Sequence, residues 1–325
     1  MLLTSQGILM SSRPKAFFIN GGAGRVICAV PALEKYAEEH PDEKFLIVCE
    51  GGTDFFKGHP KLHNRVYDNW HKNLFHDKLV DMDLVTPEPY RVWEYFNQKC
   101  SLSQAFDIEI NNKGVRDLGR PTLKLTQDEI TNGKVGVKDV IAKTGKSKTI
   151  IFQPFGRGVQ MKGDVVTDPS GRSFELGNVI SIINKLQKEF SVVVMTELPL
   201  NFQTLGCKEQ VATPSNLPIR QWAGIIKNVD MILTCDSVSQ HIAYALNKPA
   251  VSVLGSTFPV NVSYPTCENI RVLDMGEGAR IYSPIRITAD EYADMNNDGI
   301  MAMNEKIENV IVDAVHELYN NCVKQ

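Results

Sequence analysis

The stretch DMILTCDSVSQHIAYALNKPAVSVLGSTFP, residues 230–259, decides the fold of this chain. Its first apolar run is typical of a buried strand and ends at Asp236, and apolar residues at helical spacing follow over residues 239–246. A second apolar run, AVSVLG, ends in a turn of small residues at 255–257. This order of strand, helix and strand predicts a parallel sheet that is covered by helices on both faces.

The same alternation continues towards the N-terminus of this stretch. Two further apolar runs, TIIFQPFG at 149–156 and SVVVMTE at 191–197, each have the length of a buried strand. Helical patterns follow them over residues 176–189 and 219–227. The C-terminal half therefore has the pattern of a doubly wound sheet, in which ligands bind beyond the carboxyl ends of the strands.

The N-terminal half repeats this pattern less clearly. AFFIN at 16–20 leads through the glycine turn GGAG into a helical pattern over 25–39, and KFLIVCEGG at 44–52 again reads as a strand that ends in glycines. FDIEI at 106–110 is predicted as a further strand. The polar segment KTGKSK at 143–148 suits a linker.

These patterns together predict an α/β protein of two doubly wound, Rossmann-like domains that face a central cleft. We place the N-terminal domain at residues 1–145 and the C-terminal domain at residues 146–325. The last helical pattern either completes the C-terminal domain or packs back on the N-terminal one.

Composition narrows the class of protein. The 325 residues carry a formal net charge of −3, so no global positive field draws the chain to nucleic acid or to anionic membranes. The seven cysteines are odd in number and form no CxxC pair, which favours neither a disulfide framework nor a zinc site. No apolar run approaches the ~20 residues of a membrane span. We therefore expect a cytoplasmic protein with no transmembrane segment.

The end of the strand at Asp236 is the strongest candidate for an anion site. Ser237 can cap the helix that follows, and the N–H groups of its first turn, up to Gln240, then point outwards. The hydroxyls of Ser237 and Ser239 are further donors, and His241 can face either the cleft or the sheet. In the alternative interpretation, Asp236 and Ser237 only cap a helix and His241 only packs.

The next strand ends in a second turn of small residues beside the first. Gly255, Ser256 and Thr257 supply hydroxyls and an open backbone, so the two turns together can hold both phosphates of a diphosphate.

The order of residues in this stretch, D-S-x-x-x-H-x-A-x-A-L, then K-P, an apolar strand and G-S-T-x-P, resembles glycosyltransferase family 9, the ADP-heptose lipopolysaccharide heptosyltransferases. The matching positions are Asp236, Ser237, His241, Ala243, Ala245, Leu246, Lys248, Pro249, Gly255, Ser256, Thr257 and Pro259. The opening GGAGRVICAVPALEK and the closing helix are similar to the same family, whereas SPIRITADEY is unlike it.

The resemblance implies a GT-B fold, with the acceptor bound mainly by the N-terminal domain and the donor by the C-terminal one. It implies an inverting transferase that takes a nucleotide diphosphate sugar as donor substrate and uses no metal and no other cofactor. Phosphate charge is then met by helix N-termini and basic side chains.

Further donor-side positions follow from the same resemblance. Gly156, Arg157 and Lys162 lie in or after the turn that the family places near the phosphates, where a solvated loop charge is the alternative for either basic residue. Thr196 and Glu197 end the next strand, where Glu197 is placed to bind a ribose hydroxyl pair or to cap a helix. Val238 stands where the family usually has glycine.

The acceptor side departs from the family at the first glycine turn, Gly22, Ala23 and Gly24. The family has an aspartate directly after this glycine, placed as general base on the acceptor hydroxyl, whereas this chain has Arg25. Arginine cannot act as a base at neutral pH, so Arg25 is expected to bind an anionic acceptor or the donor phosphate. Asp54, after the second strand, is the candidate replacement base, with a turn-capping role as the alternative.

Residues 57–78 alternate basic side chains with histidines and aromatic residues. This pattern suits an anionic acceptor, including DNA whose flipped base could stack, or else a solvated loop. The acceptor is therefore either a glycan of the lipopolysaccharide type or an anionic polymer, with a viral transferase acting on a hydroxymethylated base in DNA as one alternative. The second alternative is a catalytically silent protein that binds a nucleotide sugar. An epimerase-like enzyme with a bound dinucleotide ranks last, because the sequence lacks the G-x-G-x-x-G motif of dinucleotide binding.

DMNNDGIMAMNE, residues 294–305, has the spacing of a calcium-binding EF-hand loop, with its ligand positions at Asp294, Asn296, Asp298 and Glu305. The preceding segment is short and polar for an incoming helix, so a tight turn before the last helix is the favoured interpretation.

Overall fold

The computed structural model describes residues 13–163, 165–281, 297 and 299–323. The strands are β1 (Lys15–Ile19), β2 (Phe45–Cys49), β3 (Val66–Asp68), β4 (Asp83–Val85), β5 (Lys148–Gln153), β6 (Gln160–Lys162), β7 (Val165–Thr167), β8 (Phe190–Val194), β9 (Met231–Thr234), β10 (Ala250–Leu254) and β11 (Ile270–Asp274). The helices are α1 (Ala23–Glu39), α2 (Trp93–Phe96), α3 (Leu102–Asn111), α4 (Gln127–Thr144), α5 (Leu176–Leu186), α6 (Ile219–Asn228), α7 (Val238–Ala245), α8 (Pro259–Val262) and α9 (Glu305–Cys322).

Two parallel sheets form the frame, which confirms the α/β prediction. The N-terminal sheet has the order β3-β2-β1-β4, and the C-terminal sheet has the order β11-β10-β9-β5-β8. The order reverses between β1 and β4 in the first sheet and between β5 and β9 in the second. Such reversals open a crevice at the carboxyl ends of the strands, where ligands of doubly wound sheets bind.

Residues 106–110 form part of helix α3, so their prediction as a strand is wrong. The Ser101 side chain accepts a hydrogen bond from the Gln104 N–H, and the Gln104 side chain accepts one from the Ser101 N–H. This reciprocal capping starts a helix just before the alternating apolar run. Asp107 is buried in this helix. Its carboxylate pairs with Arg116 at 2.5 Å, and this ion pair takes the place of contact with solvent.

Helix α4 packs on the C-terminal sheet, although it precedes the boundary predicted at 145. It crosses α6 so closely that a Cβ added to Gly133 would lie 2.2 Å from the Gly224 carbonyl oxygen. Arg220 at the start of α6 adds an ion pair to Glu129 of α4 at 2.5 Å. Residues 127–144 therefore belong physically with the C-terminal sheet, because two glycines at the crossing let the helix backbones touch.

The last helix, α9, packs against α5 and β10 of the C-terminal sheet, so the option that it packs back on the N-terminal domain is wrong. Ile311, Val315 and Leu318 on its apolar face are buried in the C-terminal core. Asn304 starts the helix by accepting a hydrogen bond from the Ile307 N–H at 3.1 Å. Within the described part of the chain, no helix combines the length and the apolar character needed to cross a membrane.

The two sheets meet along α1 and α7. An apolar core runs without a break from Val30 in α1 to Ile242 in α7 and Trp222 in α6. The contact brings the start of α1, which follows β1, against the start of α7, which follows β9. The two crevices therefore form one cleft.

Candidate functional site

The glycine turn before α1 allows the two domains to approach each other closely. A Cβ on Gly24 would lie 3.5 Å from His241 Cδ2 and 3.8 Å from the Val238 Cα. A Cβ on Gly22 would lie 2.8 Å from Nη1 of Arg157, which projects from the C-terminal domain. Ala23 occupies the first position of α1. The predicted acceptor-side turn and the predicted donor-side residues thus lie together in the cleft.

The start of α7 presents unused backbone donors. The N–H groups of Ser237, Val238 and Gln240 make no hydrogen bond within the described part of the chain, while the Ser239 N–H donates to Gln153 Oε1 at 3.3 Å. The side chain of Gln240 is fully buried, and its Oε1 has no partner among the described residues. Free N–H groups and the helix dipole together favour an anion at this point.

The serine hydroxyls at this turn are not available to a ligand in the way the sequence predicts. Ser237 Oγ donates to Gln153 Oε1 at 2.7 Å, and Ser237 makes no capping hydrogen bond to α7. Ser239 is fully buried, with its Oγ 2.7 Å from Thr234 Oγ1. These hydroxyls fix the turn against β5 and β9, so the backbone carries the anion site.

The second small-residue turn is closed by residues 168–173. Ser256 Oγ donates to the Ser170 carbonyl at 2.6 Å, and the Ser256 N–H donates to the Gly171 carbonyl at 3.2 Å. A Cβ on Gly255 would lie only 2.5 Å from that same Gly171 oxygen. Both donors of Ser256 are therefore occupied within the protein, and the binding of a second phosphate at this turn stays a prediction.

Asp236 is held by two side chains, one on each side. Its Oδ1 accepts from Gln240 Nε2 and its Oδ2 accepts from Thr257 Oγ1, both at 3.0 Å. The residue as a whole is 7% exposed. It fixes the α7 turn relative to the turn after β10, and this fixed geometry is what a preorganised binding site requires.

Arg172, a basic residue that was not predicted from the sequence, lies beside the turn at Gly156. Gly156 donates its N–H to Ser173 Oγ at 2.9 Å, and a Cβ on Gly156 would lie 3.9 Å from Arg172 Nε. Asp168 shapes this segment by accepting hydrogen bonds from Ser173. The available signal was the turn sequence DPSGRS, whose proximity to Gly156 depends on pairings remote in sequence.

His241 faces α1 of the other domain. Of the two orientations considered from the sequence, it therefore has the one towards the cleft and not the one towards the sheet. Its Nδ1 lies 2.8 Å from the Tyr264 hydroxyl and 3.5 Å from Cys28 Sγ. Burial lowers the pKa of His241 to about 4, although the charge of Asp236 acts to raise it. The imidazole is therefore neutral at pH 7 and stabilises the domain contact.

The remaining donor-side candidates are divided between the cleft and the protein surface. Arg157 is exposed and reaches the cleft, whereas Lys162 lies on the exposed β6-β7 hairpin and makes no ion pair with the described residues. Thr196 Oγ1 accepts from the Leu198 N–H at 3.0 Å, and Glu197 is exposed. Both follow β8, the edge strand next to β5.

Arg25 contacts the segment that follows β4. Its Nη2 donates to the Pro87 carbonyl at 3.2 Å and lies 3.6 Å from Glu88, and its guanidinium stacks over Tyr90 at 5.0 Å. The side chain is 11% exposed. Arg25 therefore anchors the segment after β4 to α1.

Asp54 lies at the junction with α4 and α6. Its carbonyl accepts from Arg220 Nη1 at 2.8 Å, and its exposed side chain lines a pocket of about 240 Å³ with Asp128 and Gln221. The sequence places it after β2 correctly, but a short helical turn carries it to the domain junction.

A different carboxylate of the same loop reaches the glycine turn. Glu50 directly follows β2, and its Oε2 accepts the Gly21 N–H at 2.5 Å. Its position at the carboxyl end of a strand was the signal that sequence reasoning had available and did not use. Gly21 itself has φ +93°, a conformation that favours glycine.

The basic stretch divides into two parts. His59, Lys61 and Arg65 line a cavity of about 610 Å³ near the amino end of β2, away from the cleft. There, Lys61 pairs with Glu38 at 2.9 Å and His59 Nε2 lies 2.9 Å from Glu34 Oε1, so these side chains contribute to the fold. Trp70, in contrast, is 84% exposed and follows β3 at the carboxyl edge.

Three of the four EF-hand ligand positions, Asp294, Asn296 and Asp298, lie outside the described residues, and Glu305 begins α9. Among the described residues, no three His, Cys, Asp or Glu side chains are grouped to hold a metal ion.

Comparisons with known proteins agree with this arrangement. The model of "Glycosyltransferase family 9 (heptosyltransferase)" matches residues 203–280, which include α6, α7 and the turn at Asp236. No curated protein sequence gives a significant match.

Solved structures show the same fold over nearly the whole chain. A glycosyl transferase family 9 protein from Veillonella parvula is 12% identical with a TM-score of 0.64, covering 94% of this chain and 98% of that one. The E. coli ADP-heptose lps heptosyltransferase II is 12% identical with a TM-score of 0.63, covering 94% and 99%. The iron-containing dodecameric glycosyltransferase TibC from enterotoxigenic E. coli is 12% identical with a TM-score of 0.62, covering 96% and 78%.

At this level of identity the structural matches establish the GT-B fold, and the family model adds the sequence relationship in the C-terminal half. The resemblance to glycosyltransferase family 9 is thereby confirmed for residues 203–280, and the fold of the solved family 9 structure for nearly the whole chain.

Proposed function

We propose that this protein transfers a sugar from a nucleotide diphosphate donor to an acceptor hydroxyl, with the donor in the cleft between the two sheets. One observation carries the proposal. The open N-terminus of α7 and the side chain of Arg157 lie directly against the glycine turn of α1. An anion site on one domain therefore faces a backbone turn on the other, with little side-chain bulk between them.

The donor diphosphate would bind the N–H groups of Ser237, Val238 and Gln240. Arg157, which projects into the cleft, and Arg172, beside Gly156, supply positive charge on the same side. When the sugar–phosphate bond breaks, negative charge grows on the leaving diphosphate. Fixed N–H dipoles and guanidinium groups stabilise that charge without having to reorganise.

The reaction class follows from this division of roles. With the leaving diphosphate held on the C-terminal side, an acceptor hydroxyl from the N-terminal side attacks the anomeric carbon in one displacement, which inverts its configuration. The protein supplies the positive charge for the leaving group, so we expect chelators to leave the rate unchanged. Product NMR would show the configuration of the new bond.

We propose that the N-terminal domain binds the acceptor and the C-terminal domain the donor. The packing of α4 on α6 supports a functional division before α4, with the linker ahead of residue 127. All seven cysteines are free, which supports a reducing location such as the cytoplasm.

Nucleotide binding tests the donor site. Thermal shift with ADP, ADP-heptose, UDP-glucose and GDP-mannose should identify at least one stabilising ligand for the wild-type protein. Arg157→Ala should weaken that ligand about tenfold or more, since hydrogen bonds to charged groups contribute roughly 1.5–3 kcal/mol. Lys162→Ala is the matched control, because this exposed lysine lies on the neighbouring hairpin, and it should bind like wild type.

Two results would contradict the proposed donor site. If no nucleotide or nucleotide sugar stabilises the wild-type protein, or if Arg157→Ala and Lys162→Ala behave alike, the proposed location is wrong. If a donor binds but no sugar leaves it, the alternative of a silent nucleotide-sugar-binding protein is correct.

The exposed edge of the N-terminal sheet favours an anionic acceptor. Trp70 stands in solvent after β3, Phe75 is 58% exposed, and Lys72 lies between them. Aromatic faces beside basic groups suit a phosphorylated glycan, and they also suit a base flipped out of DNA. Assays with lipopolysaccharide core and with hydroxymethylated DNA, each repeated with Trp70→Ala, distinguish the two.

A further inference from the structure

We infer that Glu50 is the general base that takes the proton from the acceptor hydroxyl, an assignment that rests on the proposed function. Arg25, directly after the glycine turn, cannot accept a proton at neutral pH and is bound to Pro87 and Glu88. The base must therefore come from another element that reaches the same turn.

Glu50 is fixed at that turn by its own backbone and by its side chain. Its N–H donates to the Ile19 carbonyl at 3.2 Å, which continues the pairing of β2 with β1. Its Oε2 accepts the Gly21 N–H at 2.5 Å. Its Oε1 makes no hydrogen bond with the described residues, so one oxygen orients the carboxylate and the other is open to a substrate.

The carboxylate lies next to the group that would stabilise the leaving diphosphate. Glu50 contacts Gly21, and Arg157 of the opposite domain approaches Gly22, the next residue. Consecutive Cα atoms are 3.8 Å apart, so both groups border the same small region of the cleft. They form no ion pair with each other, which leaves the carboxylate free to accept a proton.

Other carboxylates near the edge of the N-terminal sheet are committed elsewhere. Glu88 lies beside Arg25, Asp68 Oδ1 accepts the Trp70 N–H at 2.8 Å, and Asp54 lies at the junction with α6. Across the cleft, Asp236 accepts from Gln240 and Thr257. Among the described carboxylates, Glu50 is the one that contacts the glycine turn with an oxygen free.

The acceptor O–H proton passes to Glu50 as the acceptor oxygen forms a bond to the anomeric carbon, and the bond from that carbon to the donor phosphate oxygen breaks. The electron pair of the broken bond remains on the nucleoside diphosphate. Glu50 then releases its proton to solvent, which it reaches because its side chain is exposed.

Release of ADP from ADP-heptose measures this role, together with ADP binding by titration. Glu50→Gln should lower kcat by about 10²–10⁴-fold, the usual contribution of a general base, while ADP affinity changes less than threefold. Glu50→Asp should recover part of the rate. Glu317→Gln, which removes an exposed charge from α9, is the control and should match wild type.

Four outcomes would overturn the assignment. Glu50→Gln could keep the wild-type kcat, or Glu50→Gln could lose ADP binding in parallel with kcat. Asp54→Asn could lose turnover while Glu50→Gln does not, which would return the role to Asp54. A wild-type protein that binds ADP and yet releases none from any donor overturns the proposed function, and the assignment with it.

Discussion

His241 lies where the two domains touch, between Tyr264 on its own domain and Cys28 of α1. A protonated imidazole would be costly there, because it is almost fully buried and the neighbouring thiol is neutral. Burial raises the pKa of Cys28 to about 12. The contact between the domains therefore depends on the neutral form of His241.

This dependence predicts an acid limit on stability. The pKa of His241 is about 4 in the folded protein and 6.5 in the unfolded chain, so between these values the unfolded state binds more protons. The contribution of neutral His241 to the free energy of unfolding is complete above pH 6.5. It falls as the pH drops towards 4, by up to roughly 3 kcal/mol. Urea unfolding at pH 7 and pH 4.5 should show a smaller loss for His241→Gln than for wild type. Equal losses in both proteins would contradict this account.

Some residues of this site can be predicted from the local sequence, and others cannot. Asp236 and the start of α7 were predicted because a strand end followed by a small polar residue has a local signature. The directions of the Ser239 and Ser256 hydroxyls were not, because they are set by Thr234 and Ser170 across the fold. Glu50 was missed for a related reason, since its partner Gly21 lies 29 residues away.

At the scale of elements, the crossing of α4 and α6 joins the linker to the C-terminal sheet. Gly133 and Gly224 face each other there with no room for a side chain on either helix. Arg220 binds Glu129 on one side and the Asp54 carbonyl on the other, so the same junction also holds the loop after β2. The crossing therefore couples the N-terminal loop to the C-terminal domain.

Alanine substitutions on α4 test this crossing with an internal control. Gly133→Ala should destabilise the protein by roughly 1–3 kcal/mol or more, because its Cβ would overlap the Gly224 carbonyl. Gly136→Ala, three residues along, has nothing within 4 Å of the added Cβ and should stabilise the helix by about 0.5–1 kcal/mol. Urea unfolding followed by circular dichroism measures both. The same sign for both changes would show that α4 does not pack as described.

The prediction of a strand at residues 106–110 failed because two local sequence signals conflict there. FDIEI alternates apolar and charged residues as a strand does, but the capping pair Ser101 and Gln104 starts a helix four residues earlier. The resulting helix buries Phe106 and Ile110 against α1. A search for the capping pair would have corrected the prediction from the sequence alone.

At the scale of the whole molecule, the fold was predictable because both halves repeat apolar strands that end in glycine or small polar turns. The division at 145 was not predictable, since the contact of α4 with α6 depends on two glycines 91 residues apart that no local pattern relates. The facing of the two crevices is likewise a property of the assembled chain. It follows from the packing of α1 against α7.

Amide hydrogen exchange with and without ADP tests the central claim, that one nucleotide site is shared by the two domains. ADP should slow exchange in residues 237–241 at the start of α7 and also in residues 21–25 of the facing turn, while residues 57–65 beside the 610 Å³ cavity exchange as before. Protection confined to residues 57–65, or binding of ADP that protects neither turn, would contradict the account.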